Sequence, residues 1–162
     1  GPFDDSLRFH SIIQTEETEK VIKRLNGKKT LIIGNHDKFL KDKAFNRSLF
    51  QRIVPYLELN DNKRKVILSH YPVFCYNGQN RIMEDETPAV YMLYGHVHNT
   101  LDEELVRKFV EITKSHTREI CGKERNIPCE MINCFCMKSD YEPLTLDEWI
   151  ELEKKLSEEK LC

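Results

Sequence analysis

The chain has 162 residues, 25 basic and 27 acidic, with a net charge of −2 and 40% hydrophobic content. That is the length of one ordinary domain able to bury a core, and the balanced charge argues against extended binding to nucleic acid or an anionic membrane surface. No apolar run approaches the roughly 18 residues needed to span a bilayer, and the six cysteines (75, 121, 129, 134, 136 and 162) contain no C-x-x-C pair of the zinc-ribbon kind.

Gly1-Pro2 reads as a protease scar to be left out of the fold, and residues 3–162 are expected to form a single domain. No secretory leader is evident, so a cytoplasmic protein with reduced thiols is expected. Residues 16–26 predict a helix with Val21, Ile22 and Leu25 on one face, Glu16–Lys20 and Glu19–Lys23 as i,i+4 pairs, and Gly27 as the stop. TLII (30–33) predicts a buried strand, and residues 42–50 a helix. IVPYLEL (53–59) reads as one strand with Pro55 at an edge or bulge, DNK as a turn, and KVILS (65–69) as a second buried strand. Residues 71–88 show no period and predict a long loop, in which Tyr76, Asn77 and above all Arg81 are candidates for substrate contact. AVYMLY (89–94) is the third buried strand.

Thr100 and Glu103 form a capping-box pattern opening a helix whose face is read as Leu101, Leu105, Phe109, Ile112 and Ile120. EMINCFCM (130–137) predicts a late strand with Cys134 and Cys136 on one face as buried thiols. A second capping box, Thr145 with Glu148, opens the last helix, with Leu144 and Trp149 as a hydrophobic staple. Apolar strands alternating with helices point to an α/β layered fold with both sheet faces covered.

Three of the apolar strands end in histidine-bearing loops: Asn35-His36-Asp37, His70-Tyr71-Pro72, and His96-Val97-His98 after Gly95. Four of the six histidines lie there, and the ligand crevice of an open α/β sheet lies beyond the carboxyl ends of its strands. Imidazole nitrogens and an amide oxygen suit Mn, Fe, Zn, Co or Ni better than Ca or Mg. If extended, His96 and His98 point the same way, with Gly95 leaving room for their approach. His36 is placed to meet a phosphate or a leaving group, with Asp37 fixing its tautomer.

GNHD (34–37), SHYP (69–72) and GHVH (95–98) resemble the later motifs of the calcineurin-like metallophosphoesterase superfamily. LNGKKTLIIGNHD, KVILSHYP, LYGHVHN and YEPLTLDE are similar to its small bacterial and phage members, over about residues 16–150. The resemblance implies a β-sandwich flanked by helices with a two-metal centre at one edge. It implies that Asn35, His70 and His96 hold one divalent metal, that His98 helps hold the other, and that His36 is the acid or phosphate-positioning residue. The implied reaction is hydrolysis of a phosphomonoester or phosphodiester by a metal-bound hydroxide, the clamp logic of paired metals.

The family's earlier motifs, an Asp-x-His and a Gly-Asp, are missing: none of the nine Asp has a His two places on, and no Gly precedes an Asp. An N-terminally shortened form is therefore expected, holding one metal well, with low activity and an exposed sheet edge through which copies could pair. The alternative is a one-metal or metal-free homologue that binds a nucleotide or a protein. The partner expected otherwise is a small phosphorylated substrate or nucleotide, with no membrane association.

Overall fold

A computed structural model describes residues 5–159 as a mixed α/β chain of two compact units, Gly1–Pro55 and Tyr56–Cys162. Gly1-Pro2 lies outside the described residues.

In the first unit a helix, α1 (Asp5–Arg24), begins earlier than periodicity suggests and stops before Gly27, whose φ of 79° is the left-handed conformation that favours glycine. Only Ile22 of the expected apolar face is buried; Val21 and Leu25 are exposed. Glu19 pairs with Lys23 at 3.0 Å as expected, while Lys20 pairs with Glu17. Strand β1 (Thr30–Ile32) pairs in parallel with β2 (Arg52–Val54), and it is half-buried at most, not the fully buried strand that TLII suggests. The helix expected over residues 42–50 does not form. Asp42 takes the Ala44 N–H at 2.9 Å, and Asn46 takes the Ser48 N–H at 3.1 Å and the Ser48 hydroxyl at 2.6 Å. Such side-chain acceptors compete with helical hydrogen bonds, and only short 3-10 turns remain, at Lys38–Lys41 and Arg47–Leu49.

Pro55 divides what reads as one strand, because it carries no N–H for a ladder. The second unit starts with β3 (Tyr56–Asp61) and β4 (Arg64–Ser69), an antiparallel hairpin. Its two turn residues, Asn62 and Lys63, have φ of 48° and 69°, the left-handed pair of a type I′ turn matched to strand twist. There follow β5 (Val90–Tyr94), α2 (Leu101–Ser115), a small hairpin of β6 (Thr117–Ile120) and β7 (Lys123–Asn126), β8 (Glu130–Asn133), and α3 (Leu146–Glu159). The main sheet runs β3-β4-β5-β8, with β4, β5 and β8 mutually parallel.

Alternation along these strands explains their unbroken apolar character. Ile67, Met92 and Met131 stand opposite one another in register and pack with Val106 and Val110 of α2. Val66, Tyr91 and Ile132 pack on the other side with Leu146 and Trp149 of α3. A sheet covered on both faces has no polar side to show. Each fully buried aliphatic chain here contributes about 1.5–3 kcal/mol.

The buried side of α2 is Glu103, Val106 and Val110, while Leu101, Leu105 and Ile112 are exposed. The expected face is thus rotated, and Ile120 belongs to β6. A buried polar network holds the observed register. The Tyr94 hydroxyl donates to Glu103 at 2.8 Å, and Arg107 pairs with Glu103 at 3.2 Å, donates to the Met131 carbonyl at 2.7 Å and pairs with Glu153 of α3. Because Glu103 is committed there, the capping box at Thr100 does not form; the Thr100 hydroxyl donates to the Val97 carbonyl instead. The second box does form. Glu148 Oε2 accepts from the Thr145 N–H at 2.7 Å, the Glu148 N–H donates to Thr145 Oγ1 at 3.3 Å, and Leu144 packs in the cluster that contains Trp149.

Strand β8 stops at Asn133, so Cys134 and Cys136 do not share a strand face: Cys134 is half-buried, its thiol pushed up to about 12 by burial, and Cys136 is exposed. The 71–88 segment has no regular element but is well anchored. Tyr76 is a core residue whose hydroxyl donates to the Glu130 carbonyl at 2.9 Å, which removes it from the substrate candidates. Gly78 has φ of 81°, and a Cβ there would meet Val90 Cγ2 at 2.8 Å.

Among the described residues no helix is long and apolar enough to cross a membrane.

Candidate functional site

Because β4 and β5 are adjacent and parallel, the segments that follow them emerge side by side from the same sheet edge. The Gly95 N–H donates to the His70 carbonyl at 3.1 Å, continuing the pairing past the strand ends. His70 and His96 are thereby brought together edge to face, hydrogen-bonded through His70 Nε2 and His96 Nδ1 at 3.2 Å with ring centroids 5.0 Å apart. Both rings are half-buried. Tyr71 completes a triangle of rings, 4.9 Å from His70 in an edge-on arrangement and 4.5 Å from His96.

The third parallel strand adds a residue with no motif to mark it. Asn133, fully buried at the end of β8, donates from Nδ2 to the His98 carbonyl at 2.6 Å and accepts the Phe135 N–H at 3.1 Å. His98 itself stacks on the Phe135 ring, with centroids 4.5 Å apart and planes 20° from parallel. The signal that would have found Asn133 is a lone amide closing an apolar strand beside two histidine loops.

His96 and His98 have φ of 59° and 49°, so the segment is a pair of left-handed residues flanking Val97 rather than extended backbone. Alternation therefore does not align the two rings, which is the reverse of the extended reading. Nor does Gly95 serve by relieving crowding, since a Cβ there would meet only the His70 carbonyl oxygen, at an ordinary 3.9 Å.

Asn35, His36 and Asp37 belong to the first unit, at the end of β1. Asn35 and His36 are exposed. The Asp37 carboxylate accepts the Gly34 N–H at 2.6 Å and so closes the turn; that bond, rather than one to the His36 ring, is what it makes here. Arg81 is exposed, with its Cδ and Nε lying against Gly78. Asn77 donates to Glu58, which also accepts from Lys65 and Tyr56; led by Lys65, these bonds hold the Glu58 carboxyl down at about 2.

Two imidazole nitrogens bound to one ion at about 2.0–2.1 Å stand roughly 2.9–3.4 Å apart for octahedral to tetrahedral angles. The 3.2 Å between His70 and His96 lies within that span, and an imidazole pair is a borderline-soft donor set of the transition-metal kind. The spacing thus suits a divalent transition metal as well as the ring-to-ring hydrogen bond that the two imidazoles make in this structure. Among the described residues, no group of three or more His, Cys, Asp or Glu is gathered in metal-holding geometry. No protein-family model, curated protein or solved structure matches the chain.

Proposed function

We propose that this chain is a metal-dependent phosphoesterase of the calcineurin-like type, acting on a small phosphomonoester or phosphodiester. The observation that carries the reading is the 3.2 Å approach of His70 Nε2 to His96 Nδ1 at the carboxyl edge of parallel strands. In this reading His70 and His96 would hold a divalent metal such as Mn or Zn; the motif resemblance, not the geometry, names Asn35 as a further ligand of that ion and gives His98 to a second one. When bound, the ion supplies positive charge for phosphoryl oxygens and lowers the pKa of water. The residues of the chain supply orientation and proton transfer. The resemblance assigns His36 the protonation of the leaving oxygen; within its own unit the Asp37 carboxylate closes the turn that carries it. Arg81 offers a planar guanidinium fork for phosphate oxygens from the exposed segment after β4.

A second reading, a one-metal or metal-free homologue that binds a nucleotide or a protein, is favoured by one observation: His98 stacks on Phe135. The discriminating experiment is elemental analysis of protein equilibrated with Mn²⁺ or Zn²⁺, alongside hydrolysis of p-nitrophenyl phosphate and bis(p-nitrophenyl) phosphate. The phosphoesterase reading expects bound metal and measurable turnover, both lost in His70→Ala and His96→Ala. Absence of metal and turnover in the unmodified protein overturns it in favour of the binding module.

A further inference from the structure

We propose that Tyr71 is a positioning residue for the histidine pair: its ring, not its hydroxyl, holds the imidazoles of His70 and His96 with their nitrogens converged. This inference rests on the metal-binding reading of the pair. Three observations carry it. Tyr71 touches both rings, edge-on to His70 (interplanar angle 82°) and tilted to His96 (59°), so rotation of either imidazole about its side-chain bonds meets the phenol ring. The two imidazoles also hydrogen-bond each other at 3.2 Å, and the Tyr71 ring adds a wall against both.

Secondly, the wall itself is stiff. Tyr71 precedes Pro72, and the proline ring disfavours the helical region for the residue before it, which narrows its backbone freedom. Tyr71 also follows His70 directly, so the ligand and its wall move as one short segment tied to the next loop by the bond from the Gly95 N–H to the His70 carbonyl. Thirdly, the Tyr71 hydroxyl makes no hydrogen bond to the other described residues, and about half of the side chain (48%) remains exposed. Towards the histidine pair Tyr71 is placed by its ring contacts.

The energetic logic is that of outer-shell support. Groups that fix the orientation of metal-binding imidazoles typically change metal affinity 10–100-fold when removed, without touching the ion. A ring contact is weaker than a hydrogen bond, so the lower end applies. Tyr71→Leu is therefore expected to weaken binding of Zn²⁺ about 10-fold, and Tyr71→Phe, which keeps the ring, to leave it within about twofold of the unmodified protein.

The test pairs calorimetric titration with Zn²⁺ and long-range ¹H–¹⁵N spectra of the imidazoles in metal-free protein. Expected are weakened Zn²⁺ binding and averaged ring-nitrogen signals for His70 and His96 in Tyr71→Leu, with Tyr71→Phe retaining both unmodified properties. The proposal is overturned if Tyr71→Leu matches the unmodified protein in both measurements, or if Tyr71→Phe loses as much as Tyr71→Leu, which would assign the role to the hydroxyl. If the unmodified protein takes up no Zn²⁺, the metal reading fails on its own, and the metal-free spectra still decide whether Tyr71 fixes the two rings. Thermal melting of both variants separates loss of ring order from loss of fold.

Discussion

Replacing Asn133 by leucine keeps the volume of a fully buried site and removes two hydrogen bonds at the edge of the parallel strands. The Phe135 N–H loses its acceptor at 3.1 Å, and an unsatisfied backbone donor in the interior costs about 1–3 kcal/mol. The His98 carbonyl loses its donor at 2.6 Å, but His98 is exposed and water can replace the bond, so this part costs only the net value of about 0.5–1.5 kcal/mol. Together the loss is about 1.5–4.5 kcal/mol, or a fall in Tm of roughly 3–18 °C for a chain of this size. Asn133→Asp keeps the acceptor for Phe135 but sets a carboxylate against the His98 carbonyl, so it is expected to lose at least as much at neutral pH. Urea unfolding followed by circular dichroism measures both. A loss below about 1 kcal/mol in Asn133→Leu would show that the amide is not what secures the turn, and the reasoning would fail.

Glu58 gives a pH prediction whose sign follows from its lowered pKa. Bonds from Lys65, Tyr56 and Asn77 hold its carboxyl at about 2 against an ordinary 4.5, so its stabilising contribution is complete above about 4.5 and disappears as pH falls towards 2. A side-chain NMR titration should find the midpoint near 2 and see it rise in Lys65→Met; an unmodified midpoint near 4.5 would refute the assignment. At the start of α3, Thr145→Ala removes the hydroxyl that accepts the Glu148 N–H and is expected to cost about 1 kcal/mol in urea unfolding, and an unchanged midpoint would mean that the box contributes nothing.

Strands were legible where burial dictates composition. Val66–Leu68 and Tyr91–Leu93 are apolar at every position because α2 and α3 cover opposite faces, and that pattern survives in the sequence. Helix faces were harder to read. On α2 the apolar count favours Leu101, Leu105 and Ile112, but a tyrosine hydroxyl on β5 and the guanidinium of Arg107 draw Glu103 inward and turn the helix about its axis. No periodicity reveals a buried carboxylate whose partners come from other elements.

Of the candidate site, the meeting of His70 and His96 was foreseeable from two strand ends and one assumption, parallel pairing, which β4 and β5 satisfy. The geometry of His98 was not, because it depends on left-handed backbone and on Phe135, a residue 37 places away in sequence. Asp37 illustrates a different difficulty. A carboxylate beside an imidazole invites a pairing, yet the nearer Gly34 N–H captures it. Local backbone donors outcompete side chains that must give up rotamer freedom to be reached.

The left-handed backbone at residues 96 and 98 makes a clean genetic dissection available. Asparagine is among the side chains that occupy this conformation most readily, so His96→Asn and His98→Asn delete an imidazole without asking the main chain to relocate. At most positions a loss-of-function substitution leaves open whether chemistry or architecture was damaged. At these two the main-chain shape itself separates the possibilities, and a silent protein that melts normally would point to the missing ring.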